Sequence, residues 1–498
     1  MANILGLHSH NFSSGSEQLI AVWHSTPIVR KNDAWENHGV HLTAETKAEM
    51  ESFVDCAFLV NGVDHNFCYD GNRWAARQKN LWSCPDAYLI RREGVRLFLG
   101  DVTINNKRYK SRVWHSDLPG ADNSLSWGLE FGTNLVQTAN SAVVTSVGAG
   151  FLSRNIKVGD PLTIEDGRNK GEHTVQSIDS STQLTLTTNL NHTVAASTYW
   201  VGGNYFDIET DDGDGLRALG RLSGELLCYK ANSLHRYNVS GKQRRKIEGA
   251  VGTTSSRGVV TLNQYAYNYH PSGIYRCNGT STILISKAVY DFVAGVTAAN
   301  QSEVVAWSEN NDTVVFYLGD VTLRDGETIC NCAIAYNTTD NTWSPRRYPI
   351  DIKCAAQWLK DDVPEVYVGD DGDAVYKMNT GYHFNDADIV FEYEHPPIFP
   401  AGDNAIVNFD KIQAYIDNGP DVQILYKLIY MPSGREGQWI NDQTWQPLKG
   451  SQRGEKSEWM FPNDHRRAAG VALKFIESSQ CESFLIEKFV LFYSEASL

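Results

Sequence analysis

The chain has 498 residues, with 44 Lys and Arg against 59 Asp and Glu, which gives a formal net charge of −15. An acidic balance of this size disfavours a protein that grips nucleic acid through its phosphates. Aromatic residues make up 11% of the chain, a content typical of strands and packed sheets.

A hairpin pattern recurs from the first residues onward: a hydrophobic strand, a short polar turn, and a second strand that ends near Gly or Trp. Clear copies occupy residues 58–74, 226–238, 267–279 and 366–378. Repeats of about 40–50 residues with four strands each are typical of a β-propeller, in which neighbouring units bury each other's apolar faces. The spacing predicts six or seven blades, and we favour seven.

The pattern divides the chain into four segments. The third candidate blade ends at Trp114 and the fourth begins at Leu216. Between them, short strands such as 156–164 and 183–188 are separated by Gly, Asp and Asn turns, which predicts an inserted small β-barrel. After about residue 385 the strands become longer, as in 409–416 and 422–430, which predicts an antiparallel β-sandwich. The prediction is therefore an all-β chain with a propeller in 1–128, a barrel in 129–205, the rest of the propeller in 206–385, and a C-terminal β-sandwich in 386–498.

Helix, membrane spans and disulfides are not expected. Residues 43–52 contain good helix formers but few apolar positions, so we predict at most a short helical connector there. No apolar run reaches ~18 residues and the first residues do not resemble a signal peptide, so we expect no membrane insertion. The nine Cys are scattered and odd in number, which favours free thiols. Strand alternation would put Cys330 and Cys332 on one face, as packing residues or, alternatively, as part of a metal site.

The densest carboxylate cluster is residues 207–215. Alternating oxygen donors resemble a calcium loop, but an EF-hand needs Gly at the sixth position and a carboxylate at the twelfth, where this chain has Asp212 and Ala218. The alternative is a solvated acidic turn. We predict no catalytic residue, no cofactor and no metal; the residues kept as candidates for a loose cation site are Asp207, Glu209, Asp211, Asp212 and Asp214.

The sequence contains only weak motifs for hydrolysis, metal binding by histidine or phosphate binding. Paired carboxylates could support glycoside hydrolysis, but the sequence cannot pair those in the predicted turns, namely Asp55, Asp64, Asp70, Glu93 and Asp101. His8 and His10 lie near the N-terminus without metal-binding spacing. The basic run 242–246 is interpreted as a hairpin tip or protein contact, with phosphate binding as the alternative. We expect no enzyme activity.

Several segments resemble the β-propeller structural proteins of tailed bacteriophages, in particular tail nozzle or tail-tube hub proteins of short-tailed phages. The resemblance is carried by turn motifs in residues 61–64, 69–71, 113–119, 212–215, 219–234, 252–257, 272–275 and 278–279, with Trp74 and Trp127. The barrel, through residues 158–160 and 177–186, is similar to small barrels of phage tail proteins. The resemblance covers residues 50–290 well and the C-terminal segment only in outline.

The resemblance implies a structural virion protein, assembled in the host bacterial cytoplasm, that extends the DNA-ejection channel of the tail. It implies a closed ring of copies of this chain, a hexamer, next to a tail adaptor or other tail proteins. Duplex DNA would pass without specific binding, in line with the acidic charge. The alternative is a receptor-binding or glycan-acting propeller, a lectin or glycosidase of a phage tail.

Overall fold

The structure is a computed structural model of the chain. It describes residues 3–31, 34–43, 45–76, 79–81, 83–360, 363–379, 383–384, 387–388, 391–401, 405–417, 422–430, 440–441, 444–451, 456–462, 467–477 and 485–495. The chain divides into two compact units, Met1–Met378 and Asn379–Leu498. The division lies at 378/379, whereas the strand pattern of the sequence changes at about 386.

Seven small antiparallel sheets follow one another in the described part of the first unit. The first three consist of Ile4–Asn11, Glu17–Trp23, Thr26–Lys31 and Ala34–Asn37; Glu49–Phe53, Cys56–Val60, Phe67–Tyr69 and Trp74–Ala76; and Asp86–Glu93, Arg96–Ile104, Lys107–His115 and Tyr205–Asp207. The other four consist of Ala218–Leu222, Glu225–Tyr229, Leu234–Asn238 and Gln243–Lys246; Val259–Leu262, Tyr265–His270, Gly273–Cys277 and Thr282–Leu284; Val305–Glu309, Thr313–Thr322, Thr328–Asn337 and Thr342–Arg347; and Ile352–Lys360, Val363–Asp370 and Val375–Lys377. We number these sheets 1 to 7 in chain order.

The sheets follow a cyclic order. The first strand of each sheet contacts the first strand of the next, and the first strand of sheet 7, Ile352–Lys360, contacts the first strand of sheet 1, Ile4–Asn11. Separate apolar clusters lie between neighbouring sheets: Val22 and Leu59 belong to one that joins sheets 1 and 2, and Tyr269 belongs to one that joins sheets 5 and 6. Each sheet therefore buries apolar side chains against its neighbours, which drives their association.

Two-residue turns account for the tightness of several hairpins. In sheet 3, Asn105 and Asn106 both have positive φ angles, 48° and 62°, between strands that end at Ile104 and begin at Lys107. Asn tolerates this conformation, and two such residues match the right-handed twist of paired strands. The Asn-rich turns of the sequence are therefore the local signal for the hairpins.

An inserted sheet interrupts sheet 3. After Lys107–His115 the chain forms seven further strands and then returns as Tyr205–Asp207, which pairs with Lys107–His115. These strands form a nearly closed, barrel-like sheet: Leu129–Gly132, Leu135–Gln137, Ser141–Ser146, Pro161–Ile164, Gly171–Ser180, Gln183–Leu190 and Tyr199–Gly202. Tyr205, predicted as the last barrel residue, thus belongs to sheet 3.

Arg112 lies where the inserted sheet joins sheet 3. Its guanidinium makes two hydrogen bonds of 2.8 Å to the carboxylate of Asp207. It also lies over three aromatic rings, 3.9 Å from the ring centre of Tyr205, 4.3 Å from Tyr109 and 5.3 Å from Trp200 of the inserted sheet. Cation–π contacts and a bidentate ion pair therefore hold the last strand of the inserted sheet against sheet 3.

The second unit contains two larger antiparallel sheets that share one apolar core. One sheet contains Phe391–Ile398, Gln423–Tyr430, Ile440–Asn441, Gln446–Pro447 and Gly470–Glu477; the other contains Val407–Asp417, Lys449–Ser451, Lys456–Met460, Arg467–Ala468 and Leu485–Glu495. A two-residue pair, His383–Phe384 with Ala387–Asp388, precedes them. Phe409 and Phe475 come from different sheets and are both fully buried in the shared core.

Helix is nearly absent from the described residues, which contain Tyr290–Ala294 and the 3₁₀ turns Lys79–Leu81, Ser286–Val289 and Asn300–Ser302. No helix among these residues is long and apolar enough to cross a membrane. The helical connector predicted in 43–52 is wrong: Glu49–Phe53 is the first strand of sheet 2. Tertiary packing overrides the helical preference of Glu and Met here, because the strand lies between its two neighbours in the ring.

Candidate functional site

The first strands of the seven sheets enclose a cavity of about 390 Å³, which we call the central cavity. Every sheet contributes to its lining. Its charged lining residues in the described part of the chain are Glu49, Glu51, Arg91, Arg221 and Arg257. They come from sheets 2, 3 and 4 and from the segment before sheet 5, so only the folded ring brings them together.

Arg257 connects segments that are far apart in the sequence. Its Nη1 donates a hydrogen bond of 2.6 Å to the carbonyl of Lys353, and its Nη2 donates one of 3.1 Å to the carbonyl of Ala48 and another to the carbonyl of Leu5. These carbonyls belong to the segments at the starts of sheets 7, 2 and 1. One side chain therefore satisfies three backbone acceptors in the interior of the ring.

Glu49, Glu51 and Arg91 form the second polar group of the central cavity. Burial raises the pKa of the Glu49 carboxyl above its ordinary value, although Arg91 and Arg257 oppose this. Arg91 donates a 3.0 Å hydrogen bond from Nε to the carbonyl of Leu219 and lies 3.6 Å from the Glu51 carboxylate. The backbone N–H of Ile90 donates to Glu49. Both carboxyl groups therefore already have partners within the protein.

Ser52 lies between two histidines of the first strand. His8 Nε2 is 2.7 Å and His10 Nδ1 is 2.6 Å from its Oγ. Burial lowers the pKa of His8 to about 3, with His10 and Arg91 adding to the effect, and burial lowers that of His10 to about 4. Each imidazole therefore takes up a proton near pH 7 less readily than a free histidine does.

Neither Ser52 nor the cavity charges were distinguishable in the sequence. Period-two alternation could have placed His8 and His10 on one strand face. Their hydroxyl partner lies more than 40 positions away, and no sequence signal connects the two.

The five turn carboxylates considered for hydrolysis have separate local roles. Asp55 accepts the N–H and hydroxyl of Ser13, Asp64 accepts the N–H and hydroxyl of Thr43, and Asp70 accepts the N–H groups of Asn72 and Arg73. Glu93 accepts the N–H of Gly224, and Asp101 accepts two hydrogen bonds from Arg108. These contacts are typical of carboxylates that fix turns and hairpins.

The acidic segment 207–215 is likewise engaged with the protein. Asp207 binds Arg112, Glu209 lies 3.1 Å from Lys246, and Asp211 accepts a long hydrogen bond from Thr210. Asp212 accepts hydrogen bonds of 2.6 and 2.8 Å from Lys230, whose side chain is fully buried, and Asp214 accepts the N–H of Ala231. Among the described residues no group of three or more His, Cys, Asp or Glu side chains is arranged to hold a metal ion.

The remaining sequence candidates are dispersed. Cys332 is buried and Cys330 exposed, because Asn331 between them has a φ of 52° and breaks the strand alternation; the expectation that both share one face is wrong. The basic run 242–246 contains Gln243–Lys246, the exposed edge strand of sheet 4.

The chain is similar to several solved structures at low sequence identity. No protein-family model and no curated protein sequence matches the chain. The computationally designed Ika8 protein is 11% identical, with a TM-score of 0.35 over 76% of this chain and 96% of that one. Sqt1 of Saccharomyces cerevisiae is 9% identical, with a TM-score of 0.37 over 75% and 95%. The endosialidase of phage phi92 is 9% identical, with a TM-score of 0.28 over 74% of this chain and 61% of that one. Similarity at this level identifies no family.

Proposed function

We propose that this chain is a structural virion protein, a subunit of an oligomeric phage tail nozzle or hub, built on a seven-bladed β-propeller. The sheets are the blades, and their first strands form the inner ring. The cyclic contacts of those strands and the apolar clusters between neighbouring sheets support the propeller. The tail assignment rests on the turn motifs described above.

The observation that carries a structural rather than catalytic role is the bonding of Arg257 and Arg91. Both guanidinium groups donate to backbone carbonyls of other segments. A catalytic arginine would instead direct its donors at a reacting group. The arginines in the interior of the ring thus serve mainly to connect the sheets. This role suits a scaffold whose outer surfaces make the functional contacts.

The acidic charge fits passage of DNA between subunits. The central cavity, about 390 Å³, is far smaller than one turn of duplex DNA, so DNA would not pass through the ring of one chain. In a cyclic oligomer, one surface of each subunit would contact a different surface of the next subunit. The channel would then lie on the symmetry axis, between the subunits. A net charge of −15 per chain would repel phosphates there and prevent adhesion.

Mass photometry and negative-stain electron microscopy of the purified protein, alone and with tail extract, test this proposal. We expect closed rings with an axial opening wide enough for a duplex. A protein that remains a monomer or trimer under both conditions, and lies off the tail axis in particles, would contradict it.

The glycan-acting alternative has its own test. The protein is incubated with host surface polysaccharide and the products are sized, with Glu49→Gln as the matched variant because Glu49 is the buried carboxyl of the central cavity. We expect no oligosaccharide release from either protein. Release by the native chain that is lost in Glu49→Gln would favour a hydrolase.

A further inference from the structure

We propose that the central cavity binds a small oxyanion, a carboxylate or phosphate group, between the guanidinium groups of Arg91, Arg221 and Arg257. This inference concerns one chain and does not depend on the proposed assembly.

The charge of the lining is unbalanced. Three arginines face two glutamates, Glu49 and Glu51, among the described lining residues. Glu51 pairs with Arg91 at 3.6 Å. The hydrogen bonds of Arg257 go to backbone carbonyls, which are dipoles and carry no compensating charge. These five lining side chains therefore carry a formal charge of +1, which favours the approach of an anion.

Glu49 is the buried carboxyl group next to two of these arginines. It lies near both Arg91 and Arg257, yet burial still raises its pKa. Its carboxyl group therefore holds a proton more readily than an exposed glutamate would. An added anion would be attracted by the same two guanidinium groups that only partly compensate for the burial of Glu49.

Arg221 provides the free donors. In the part of the chain that the structure describes, its guanidinium makes no hydrogen bond, although it interacts electrostatically with the Glu93 carboxyl group, and the residue is exposed. Its own carbonyl accepts a 2.9 Å hydrogen bond from Thr261, which fixes the backbone next to sheet 5. A flexible guanidinium on a fixed backbone can close on an oxyanion with two parallel hydrogen bonds.

The cavity has the size and polarity for such a ligand. About 390 Å³ holds a phosphate ion with several waters, or a small organic acid. Ser256, Ser308 and Gln357 add polar groups to the lining. An apolar ligand would offer no hydrogen bond to Arg221 or to the polar groups of Ser308 and Gln357, so a charged, hydrogen-bonding ligand is favoured.

Isothermal titration calorimetry with inorganic phosphate, and separately with acetate, tests the proposal at constant ionic strength maintained with chloride. We expect saturable binding of one ion per chain. Arg221→Gln should weaken it at least about tenfold, and Arg221→Lys by less, because lysine keeps the charge but loses the forked geometry. Arg245→Gln, on the exposed edge strand of sheet 4, is the matched control and should bind as the native chain does.

Two results would overturn the proposal. The first is the absence of saturable binding of either ion to the native chain. The second is equal affinity in Arg221→Gln and the native chain, or equal weakening in Arg221→Gln and Arg245→Gln, which would indicate general surface charge. Circular dichroism and thermal unfolding of each variant verify folding, and Arg221→Lys gives a second reading if Arg221→Gln fails to fold. Binding of phosphate but not acetate, or the reverse, identifies which oxyanion the cavity prefers.

Discussion

Arg257 shows how a single side chain can stabilise a ring of sheets. It is half-buried and its donors reach carbonyls that are 96, 209 and 252 residues away along the chain. Loss of the guanidinium would leave backbone acceptors in the interior without their partner, which is costlier than the loss of an exposed hydrogen bond.

We expect Arg257→Ala to lower the free energy of unfolding of the first unit by about 3 kcal/mol. Arg217→Ala is the control, because Arg217 is exposed and lies 3.9 Å from its acidic neighbour Asp214; it should change stability by less than about 0.5 kcal/mol. Urea denaturation followed by tryptophan fluorescence measures both. Equal stability of the two variants would show that the three carbonyls are solvated instead.

Buried histidines should make the protein sensitive to mild acid. The pKa of His8 is lowered to about 3 and those of His10 and His115 to about 4, in each case mainly by burial. A histidine with a lowered pKa in the folded state binds protons more readily when the chain is unfolded. The free energy of unfolding is therefore unaffected by its protonation above about pH 6.5 and decreases as the pH falls below that value.

At pH 5 each of these histidines should reduce stability by up to about 2 kcal/mol relative to pH 7. The Tm of the native chain should therefore fall between pH 7 and 5, and that of His8→Gln should fall less, because glutamine does not titrate. His192→Gln, at an exposed position, serves as the control. Parallel Tm curves for the native chain and His8→Gln would contradict this explanation.

At the scale of the element, segment 207–215 is an acidic connection fixed by a buried lysine. Lys230 Nζ donates to the Asp212 carboxylate and, at 2.6 Å, to the carbonyl of Glu209. The cluster that resembled a cation site in the sequence therefore contains a cation supplied by the chain itself. Sequence reasoning could not find it, because Lys230 is an unremarkable residue at the end of a predicted strand.

Lys230→Met keeps the length of the side chain but removes the charge. We expect a loss of about 2–3 kcal/mol in unfolding free energy and faster cleavage of residues 207–215 by a protease. Lys246→Met, which removes the exposed partner of Glu209, should cost less than about 1 kcal/mol. If both variants are cleaved at the native rate, Lys230 does not fix this connection.

Element by element, the predictability of the fold follows the range of the interactions. The all-β class and a small barrel-like insertion could be predicted, because strand alternation and Asn turns are local signals. The strand Glu49–Phe53 and the last strand of sheet 3, Tyr205–Asp207, could not. The first contradicts its own helix propensity, and the second is separated from its partner by the whole inserted sheet. The central cavity could not be predicted for the same reason, because Arg257, Glu49 and Arg91 come from different sheets and lie near each other only in the folded ring.

For the molecule as a whole, the inserted sheet has adjacent ends. Gly202 approaches Gly128 so closely that a Cβ on Gly202 would lie 2.1 Å from the Gly128 carbonyl oxygen. Removal of residues 129–202 therefore needs only a short Gly-Ser bridge, and it must leave Tyr205–Asp207 as the fourth strand of sheet 3.

We expect this deletion to preserve cooperative unfolding of the remaining sheets, because loop closure depends weakly on length. Stability should fall by about 3–5 kcal/mol, since Leu129 and Trp200 leave the apolar cluster that also contains Trp114. Removal of residues 129–207 is the comparison and should be more harmful. Differential scanning calorimetry distinguishes them, and loss of any cooperative transition in the shorter deletion would show that the insertion is needed for folding.

The contact between sheet 1 and sheet 7 also affects the order in which the first unit can fold during synthesis. Ser9 donates a 2.7 Å hydrogen bond to the carbonyl of Gln357, and Asn11 one of 3.2 Å to that of Leu359, each across 348 residues. After Ile4–Asn11 has left the ribosome, almost the whole first unit must be synthesised before Ile352–Lys360 of sheet 7 is available to contact it. Until then the strand has an uncovered apolar face, and contacts of such long range form slowly. We therefore expect chaperones to bind the nascent chain. In a circular permutant that begins at sheet 2, the contact that forms last would be the one between sheets 1 and 2, so the delay would remain.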